Sequence, residues 1–383
     1  MKRVFILGSG SSIGHSDNIF PSINDFFIKA KEIGYLENDY FRSLINYIIN
    51  DYGHEIDTDQ DLNIEALFTY IEIDIENDSN ALVVQNKDKL LLMIRQILMK
   101  LQNDVNDKKG EYDEFCKNLN PNDTVITFNW DILLDNKLGR NENLLRRFHE
   151  QELEAAEKKA LNDKINSFPL QYKRFINKLS AIHEQTFGGI SVKTPYTEWS
   201  ADDGYYLKLH GSIDWFYCKN ENCRASNMVF PVEMPIKPYF CSECHERLEN
   251  LIIPPILKKV HRRYPLIRRL WNVAIREIKE ADEIVFWGYS LPLTDFYSDW
   301  LFRQKPKNLL SILKPIYLLK KIILINPAVY SDNTINTNFI DKFYKIFQQR
   351  ISRDRIYIYK SFHEYSECLL NENAATDGGD TDK

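Results

Sequence analysis

A series of short apolar runs, each closed by small or polar residues, does most to limit what this chain can fold into. Val4-Phe5-Ile6-Leu7 stops at Gly8, and Thr124-Val125-Ile126-Thr127-Phe128 stops at Asn129. Tyr206 to Trp215 reads as an apolar strand pattern that delivers His210 onto Gly211 at its end. Leu251-Ile252-Ile253 runs into Pro254-Pro255, Glu283 to Trp287 ends at Gly288, Lys321 to Ile325 ends at Asn326, and Ile356 to Tyr359 comes last. Continuous runs bounded by turn residues are the mark of strands buried on both faces. Between them lie helical patterns, with apolar positions three and four apart in Phe41 to Ile49 and in Leu90 to Leu101. Strands alternating with helices imply right-handed crossovers and an α/β fold around a largely parallel sheet, with ligands at the strands' carboxyl ends.

The sequence has 383 residues, 44% of them hydrophobic, enough core for one large or two ordinary domains. A net charge of −6, from 49 basic and 55 acidic residues, argues against a dedicated nucleic-acid binder. The basic cluster Lys258, Lys259, His261, Arg262, Arg263, Arg268 and Arg269 could serve a nucleic acid or an acidic partner, but reads first as the solvated face of a helix. No apolar run approaches the ~20 residues that span a bilayer. The first apolar stretch ends at Gly8, too short for a signal peptide, and the expectation is a cytoplasmic protein without membrane contact. The stretch 371–383, rich in Asp, Gly and Thr, is expected to be disordered.

Chemistry concentrates where the runs end. Imidazole titrates at ~6.5, so His210 at a strand end suits a general base. Gly8-Ser9-Gly10-Ser11-Ser12 follows the first run as a phosphate-handling loop would, its glycines letting backbone come close to a ligand. Cys218 and Cys223 enclose four residues, Cys241 and Cys244 enclose two, and seventeen separate the pairs. That spacing matches a four-thiolate zinc ribbon; four thiolates fill a tetrahedral site, so the zinc is expected to be structural. Cys116 and Cys368 have no partner spacing and read as core residues.

Taken in order, these motifs resemble the sirtuin superfamily, and more closely its bacterial antiphage-defence branch than its protein deacylases. The family's glycine-rich opening is similar to Gly8 through Ser12, and its proline-aspartate-phenylalanine segment to Pro21 through Asp25-Phe26. Thr127-Phe128-Asn129-Trp130-Asp131 matches its threonine-x-asparagine-x-aspartate motif, and His210-Gly211 its histidine-glycine pair. Gly288-Tyr289-Ser290-Leu291 matches its glycine-x-serine-leucine segment, and Asn326-Pro327 resembles its adenosine-side asparagine.

The resemblance implies NAD as substrate, hydrolysed to nicotinamide and ADP-ribose, in a Rossmann-like fold with helical insertions and a small zinc-ribbon module. It divides the chain into a first Rossmann-like part at 1–135, with a helical insertion over about 35–118, and a second insertion at 136–204. The histidine strand at 205–216, the ribbon at 217–250 and the second Rossmann-like part at 251–370 follow. Asn129 would hold the nicotinamide ribose and orient a water, and His210 would deprotonate a ribose hydroxyl or that water. Gly8, Ser9, Gly10, Ser12, Gly288 and Ser290 would take the phosphates and adenosine ribose, and Asn326 ribose hydroxyls. Asp25, Phe26, Thr127 and Asp131 would also contact the cofactor, Phe26 covering the nicotinamide and Asp131 bonding the site backbone or the carboxamide.

Two departures weigh against a deacylase. Its arginine after the aspartate-phenylalanine pair is Phe27 here, and its peptide-docking strand after the ribbon is Ile253-Pro254-Pro255-Ile256, short of backbone donors. A deacylase, an ADP-ribosyltransferase or a silent NAD-sensing interaction module remain the alternatives. Similar defence proteins deplete NAD upon phage sensing in abortive infection, often as large homo-oligomers paired with a separately encoded HerA-like ATPase or Argonaute protein. The sequence carries no P-loop, so any motor would be supplied in trans.

Overall fold

The computed structural model describes residues 1–54, 56, 62, 64–77, 80–120, 122–139, 186–187, 190–191, 204–223, 229–231, 239–241, 243–254, 264–292, 295–304, 319–332 and 334–377. The insertion expected at 136–204 lies largely outside these residues, as do Pro255 and the basic residues from Lys258 to Arg263.

The apolar runs become β1 (Arg3–Leu7), β2 (Thr124–Thr127) and β3 (Tyr206–Lys208), followed by a separate module. That module holds β4 (Gly211–Tyr217), β5 (Val229–Pro231) and β6 (Glu249–Ile252), after which β7 (Glu283–Trp287), β8 (Lys321–Ile325) and β9 (Ile356–Tyr359) complete the series. The central six-stranded sheet has the order β9-β8-β7-β1-β2-β3 with every pairing parallel, while β5-β4-β6 form a small antiparallel sheet. Counting only its own strands, the large sheet runs 3-2-1-4-5-6, the Rossmann-like order, whose reversal between β1 and β7 opens a crevice at the carboxyl ends.

Both faces of the sheet are covered, which is why its strands read as unbroken apolar runs. Phe5, Leu7, Val125, Val285 and Trp287 face one core, and Val4, Ile6, Ile126, Ile284 and Phe286 the other. The first core is closed by helices: α1 (Ser9–His15), α2 (Phe26–Glu32), α3 (Arg42–Tyr52), α4 (Ile64–Asn77), α5 (Ala81–Val105), α6 (Glu111–Asn118) and α7 (Leu133–Gly139). The second takes α8 (Pro265–Glu280), α9 (Phe296–Phe302) and α10 (Thr337–Phe347), with α10 burying Phe339, Ile340, Phe343 and Phe347 on one face. Among the described residues no helix is long and apolar enough to cross a membrane.

Two expectations are corrected. Tyr206 to Trp215 is not one strand: β3 ends at Lys208, Leu209 and His210 form a turn, and β4 starts a different sheet at Gly211. Gly211 sits at φ +73°, and a Cβ there would lie 1.9 Å from the Leu251 carbonyl oxygen, so this turn needs glycine. The tail expected to be disordered from residue 371 is helical as far as Asp377, within α11 (Phe362–Asp377).

His15, at the end of α1, is buried, stacks on Tyr112 at 4.7 Å and accepts a hydrogen bond from the Tyr112 amide at Nδ1, while Nε2 has no hydrogen-bond partner among the described residues. Burial, with Lys137 nearby, pushes its pKa down to about 4. The fold therefore holds the neutral ring, and the unfolded chain, titrating near 6.5, gains protons first as pH falls. Stability is unaffected above ~6.5 and is lost as pH drops from there towards about 4. Urea unfolding at pH 7.5 and 5 is expected to show His15→Gln sparing about 2 kcal/mol of the wild-type loss.

Candidate active site

Loops at the carboxyl ends of β1, β2, β3 and β7 meet around one cavity of about 290 Å³. The sheet ladder continues past the strand ends and fixes these loops. Gly8 N–H donates to Trp287 O (3.1 Å), Phe128 N–H to Leu7 O (3.1 Å) and Leu209 N–H to Thr127 O (3.0 Å). The loops after β1 and β7 touch backbone to backbone: a Cβ on Gly10 would lie 2.7 Å from the Gly288 Cα, and Gly288 itself has φ +62°. Gly10 N–H donates to Gly288 O at 3.0 Å. The amides of Gly8 and Gly10 are thus both engaged within the protein. These glycines serve loop-to-loop packing, and their own amides do not face a phosphate.

Asn129 follows β2 in a turn closed by its own amide, which donates to Thr127 Oγ1 (3.1 Å). Its side-chain Nδ2 donates to Gly8 O (3.0 Å), Ser12 Oγ (3.1 Å) and Ser11 Oγ (3.3 Å). A main-chain carbonyl only accepts, so Gly8 O fixes which way the amide points. Asn129 lines the cavity, and its carboxamide oxygen is the end of the group that can accept from a ligand or water. Asp131 is buried beside it, accepting from Ser12 Oγ (2.7 Å) and from Leu133 N–H (3.1 Å) at the start of α7. Burial raises its pKa, against the pull of Lys208.

His210 is 3% exposed, packs edge-on against Phe128 at 4.9 Å, and places Nε2 3.5 Å from Asp295 Oδ2. Its carbonyl accepts from Ile253 N–H (2.8 Å), just past β6. Phe128 stacks on Tyr289 at 4.9 Å, giving this wall an aromatic core. The opposite wall comes from the helical insertion: Ile64 and Glu65 of α4 and Ile94 and Leu98 of α5 line the cavity together with Phe20 and Phe26.

Gly8, Ser9, Ser12, Phe26, Asn129, Asp131, His210, Gly288 and Ser290 therefore share one cavity. Four expected residues do not line it. Gly10 packs under the loop, Thr127 holds Asn129, Asp25 is exposed and accepts from Ser22 Oγ, and Asn326 accepts from the Ala328 amide at 2.9 Å. Phe27, where a deacylase has arginine, is core, edge-on to Phe26 at 5.4 Å. Glu65, Asp295, Phe128 and Tyr289 escaped the sequence reading. Asp295 alone had a signal, as an N-cap residue just after the Gly288 to Leu291 segment, accepting from Ser298 N–H (3.3 Å).

The four cysteines form a second constellation. Their Sγ atoms all lie within 4.8 Å of one another, with Cys218 to Cys244 at 3.4 Å and Cys223 to Cys241 at 3.7 Å. A tetrahedron with metal–sulfur bonds of ~2.3 Å has edges of about 3.8 Å, so the cluster fits zinc.

Solved structures of Sir2 homologues are similar to this chain. One is a triple mutant in complex with 2'-O-acetyl ADP ribose, 14% identical, covering 100% of this chain and 95% of its own, with a TM-score of 0.42. Another is a Sir2 homologue in complex with NAD, 13% identical, covering 98% and 90%, with a TM-score of 0.41. No family model and no curated protein sequence matches.

Proposed function

We propose that this chain hydrolyses NAD+ to nicotinamide and ADP-ribose in the cavity around Asn129 and His210. The observation that carries this reading is the Asn129 side chain, anchored through Nδ2 to Gly8 O and Ser12 Oγ in the cavity that His210 also lines. Nicotinamide in NAD+ is a cationic leaving group. When its bond to ribose C1 breaks, the electron pair stays with the nicotinamide nitrogen and positive charge passes to the ribose, as in sugar hydrolysis. Water adds to C1 and gives up one proton. Asn129 would accept a hydrogen bond from that water or from a ribose hydroxyl, and His210 would take the proton.

The lining suits such a cation. It includes Glu65, Asp131 and Asp295 and, among the described residues, no lysine or arginine. A volume of about 290 Å³ is near the lower end of ligand clefts, room for one end of a dinucleotide. Water as acceptor is favoured over a peptide lysine by the segment after β6: Ile253 N–H is spent on His210 O, and Pro254 has none to give. Neither can donate to a docked strand.

The same reading makes the chain the NAD-depleting effector of an antiphage system, cytoplasmic, homo-oligomeric and served by a HerA-like ATPase or Argonaute partner. What supports it is the ordered set of motifs and the lack of a P-loop in the sequence. The test is chromatography of NAD+ incubated with the purified chain at neutral pH. Nicotinamide and ADP-ribose in equal amounts, absent with His210→Ala, is the expected result; transfer to an acetylated peptide without free ADP-ribose would overturn it.

A further inference from the structure

We propose that Asp295 is a positioning residue for His210, holding the imidazole with its proton on Nε2 so that Nδ1 is the basic nitrogen. The inference rests on His210 being the base of the reaction above. Both side chains line the cavity and both are nearly sealed from solvent, Asp295 at 2% exposure and His210 at 3%. Oδ2 of Asp295 lies 3.5 Å from Nε2, at the long end for a hydrogen bond, a spacing that catalytic pairs often close only when ligand is bound. A carboxylate accepts and never donates when ionised, so it selects the tautomer whose proton faces it.

Asp295 is itself held in place. Its Oδ1 accepts from Ser298 N–H at the start of α9, and its carbonyl accepts from Ser298 Oγ (2.8 Å), which in turn accepts from the Tyr289 hydroxyl (2.6 Å). Tyr289 stacks on Phe128, and Phe128 packs against the His210 ring, so the pair sits inside a closed ring of contacts. On the other side the Ile253 amide pins the His210 carbonyl. Among the described residues, the other charged groups nearby are Glu65 from α4 and Asp131 after β2, which line the same cavity, and Lys208, which is bonded to Asp135 and the Asp131 carbonyl. Asp295 places a carboxylate oxygen 3.5 Å from a ring nitrogen, and the same residue caps α9.

Asp295→Asn tests this without dismantling the helix start, because an asparagine oxygen can still accept from Ser298 N–H. Its amide would instead donate to Nε2 and favour the opposite tautomer. The full zinc-bearing chain, labelled with 15N-histidine, is titrated by NMR, and His210 is assigned by the resonance missing in His210→Ala. The imidazole pKa is expected to fall by about one pH unit or more in Asp295→Asn, with the proton moving to Nδ1 and melting temperature and zinc content unchanged. In NAD+ hydrolysis kcat should drop about 10²-fold or more with little change in KM, and the acid limb of its pH profile should move down with the imidazole. An unaltered His210 titration and tautomer in both Asp295→Asn and Asp295→Ala would overturn the pairing. So would an unchanged kcat in a chain that His210→Ala inactivates. If the unmodified chain leaves NAD+ intact, the hydrolase reading fails, and the titration still decides the pairing.

Discussion

Asn129→Ala is expected to lower NAD+ turnover by about 10²–10⁴-fold while leaving the chain folded. The structural cost is small because the groups it deserts have other partners. Ser12 Oγ still meets Asp131 and Tyr112, and Ser11 Oγ still meets Gly8 O and Tyr112. Loss of one neutral hydrogen bond to Gly8 O is worth about 1 kcal/mol, too little to unfold a domain. The functional cost is large because, in the proposed mechanism, this cavity-lining carboxamide accepts from the attacking water or a ribose hydroxyl. Asn129→Asp sharpens the test: the shape is kept, but a carboxylate cannot donate to Gly8 O and would turn away from it. Product chromatography beside thermal melts checks both variants. Turnover within a few-fold of wild type in either, with melting unchanged, would remove Asn129 from the mechanism.

Much of this arrangement was legible because the sheet is buried on both faces. Val4 to Leu7 and Ile284 to Trp287 alternate between two apolar cores, so neither strand breaks its pattern with a polar residue, and each ends visibly at a glycine. The break inside Tyr206 to Trp215 was not legible. The change of sheet depends on Gly211 meeting the Leu251 carbonyl, a contact between residues forty apart in sequence, and apolar residues stand on both sides of it. Leu251 and Ile252 likewise look like sheet strand but pair with β4 in the ribbon. Motif position and site membership also come apart. Asn326 stands at the carboxyl end of β8, yet its side chain caps the turn at Ala328, satisfying a local donor. Glu65 enters the cavity from an amphipathic helix where an acid has no local signature. Placing it required the packing of α4 and α5 over the crevice, which periodicity does not encode.

If the four cysteines hold zinc as proposed, removing it is expected to abolish NAD+ hydrolysis from a distance. Among the described residues the ribbon's own apolar core is Phe216 and Leu248 with Cys218, Cys223 and Cys241, a small core for three short strands. Structural zinc contributes on the order of 10–16 kcal/mol of apparent binding energy in small peptides, so zinc on these cysteines would supply much of the ribbon's order. What makes this matter for chemistry is where the ribbon strands begin and end. β4 starts at Gly211, directly after His210, and β6 ends at Ile252, directly before the Ile253 amide that donates to the His210 carbonyl. The imidazole is therefore held between the two strands that zinc on the four cysteines would tie together. Cys241→Ser is expected to lose about one zinc per chain, to expose ribbon amides to hydrogen exchange, and to cut NAD+ turnover at least tenfold, with the amides of β1, β7 and β8 still protected. Elemental analysis, exchange and product chromatography on the same sample follow the three effects together. Zinc lost with turnover intact would mean that the clamp on His210 does not need the ribbon.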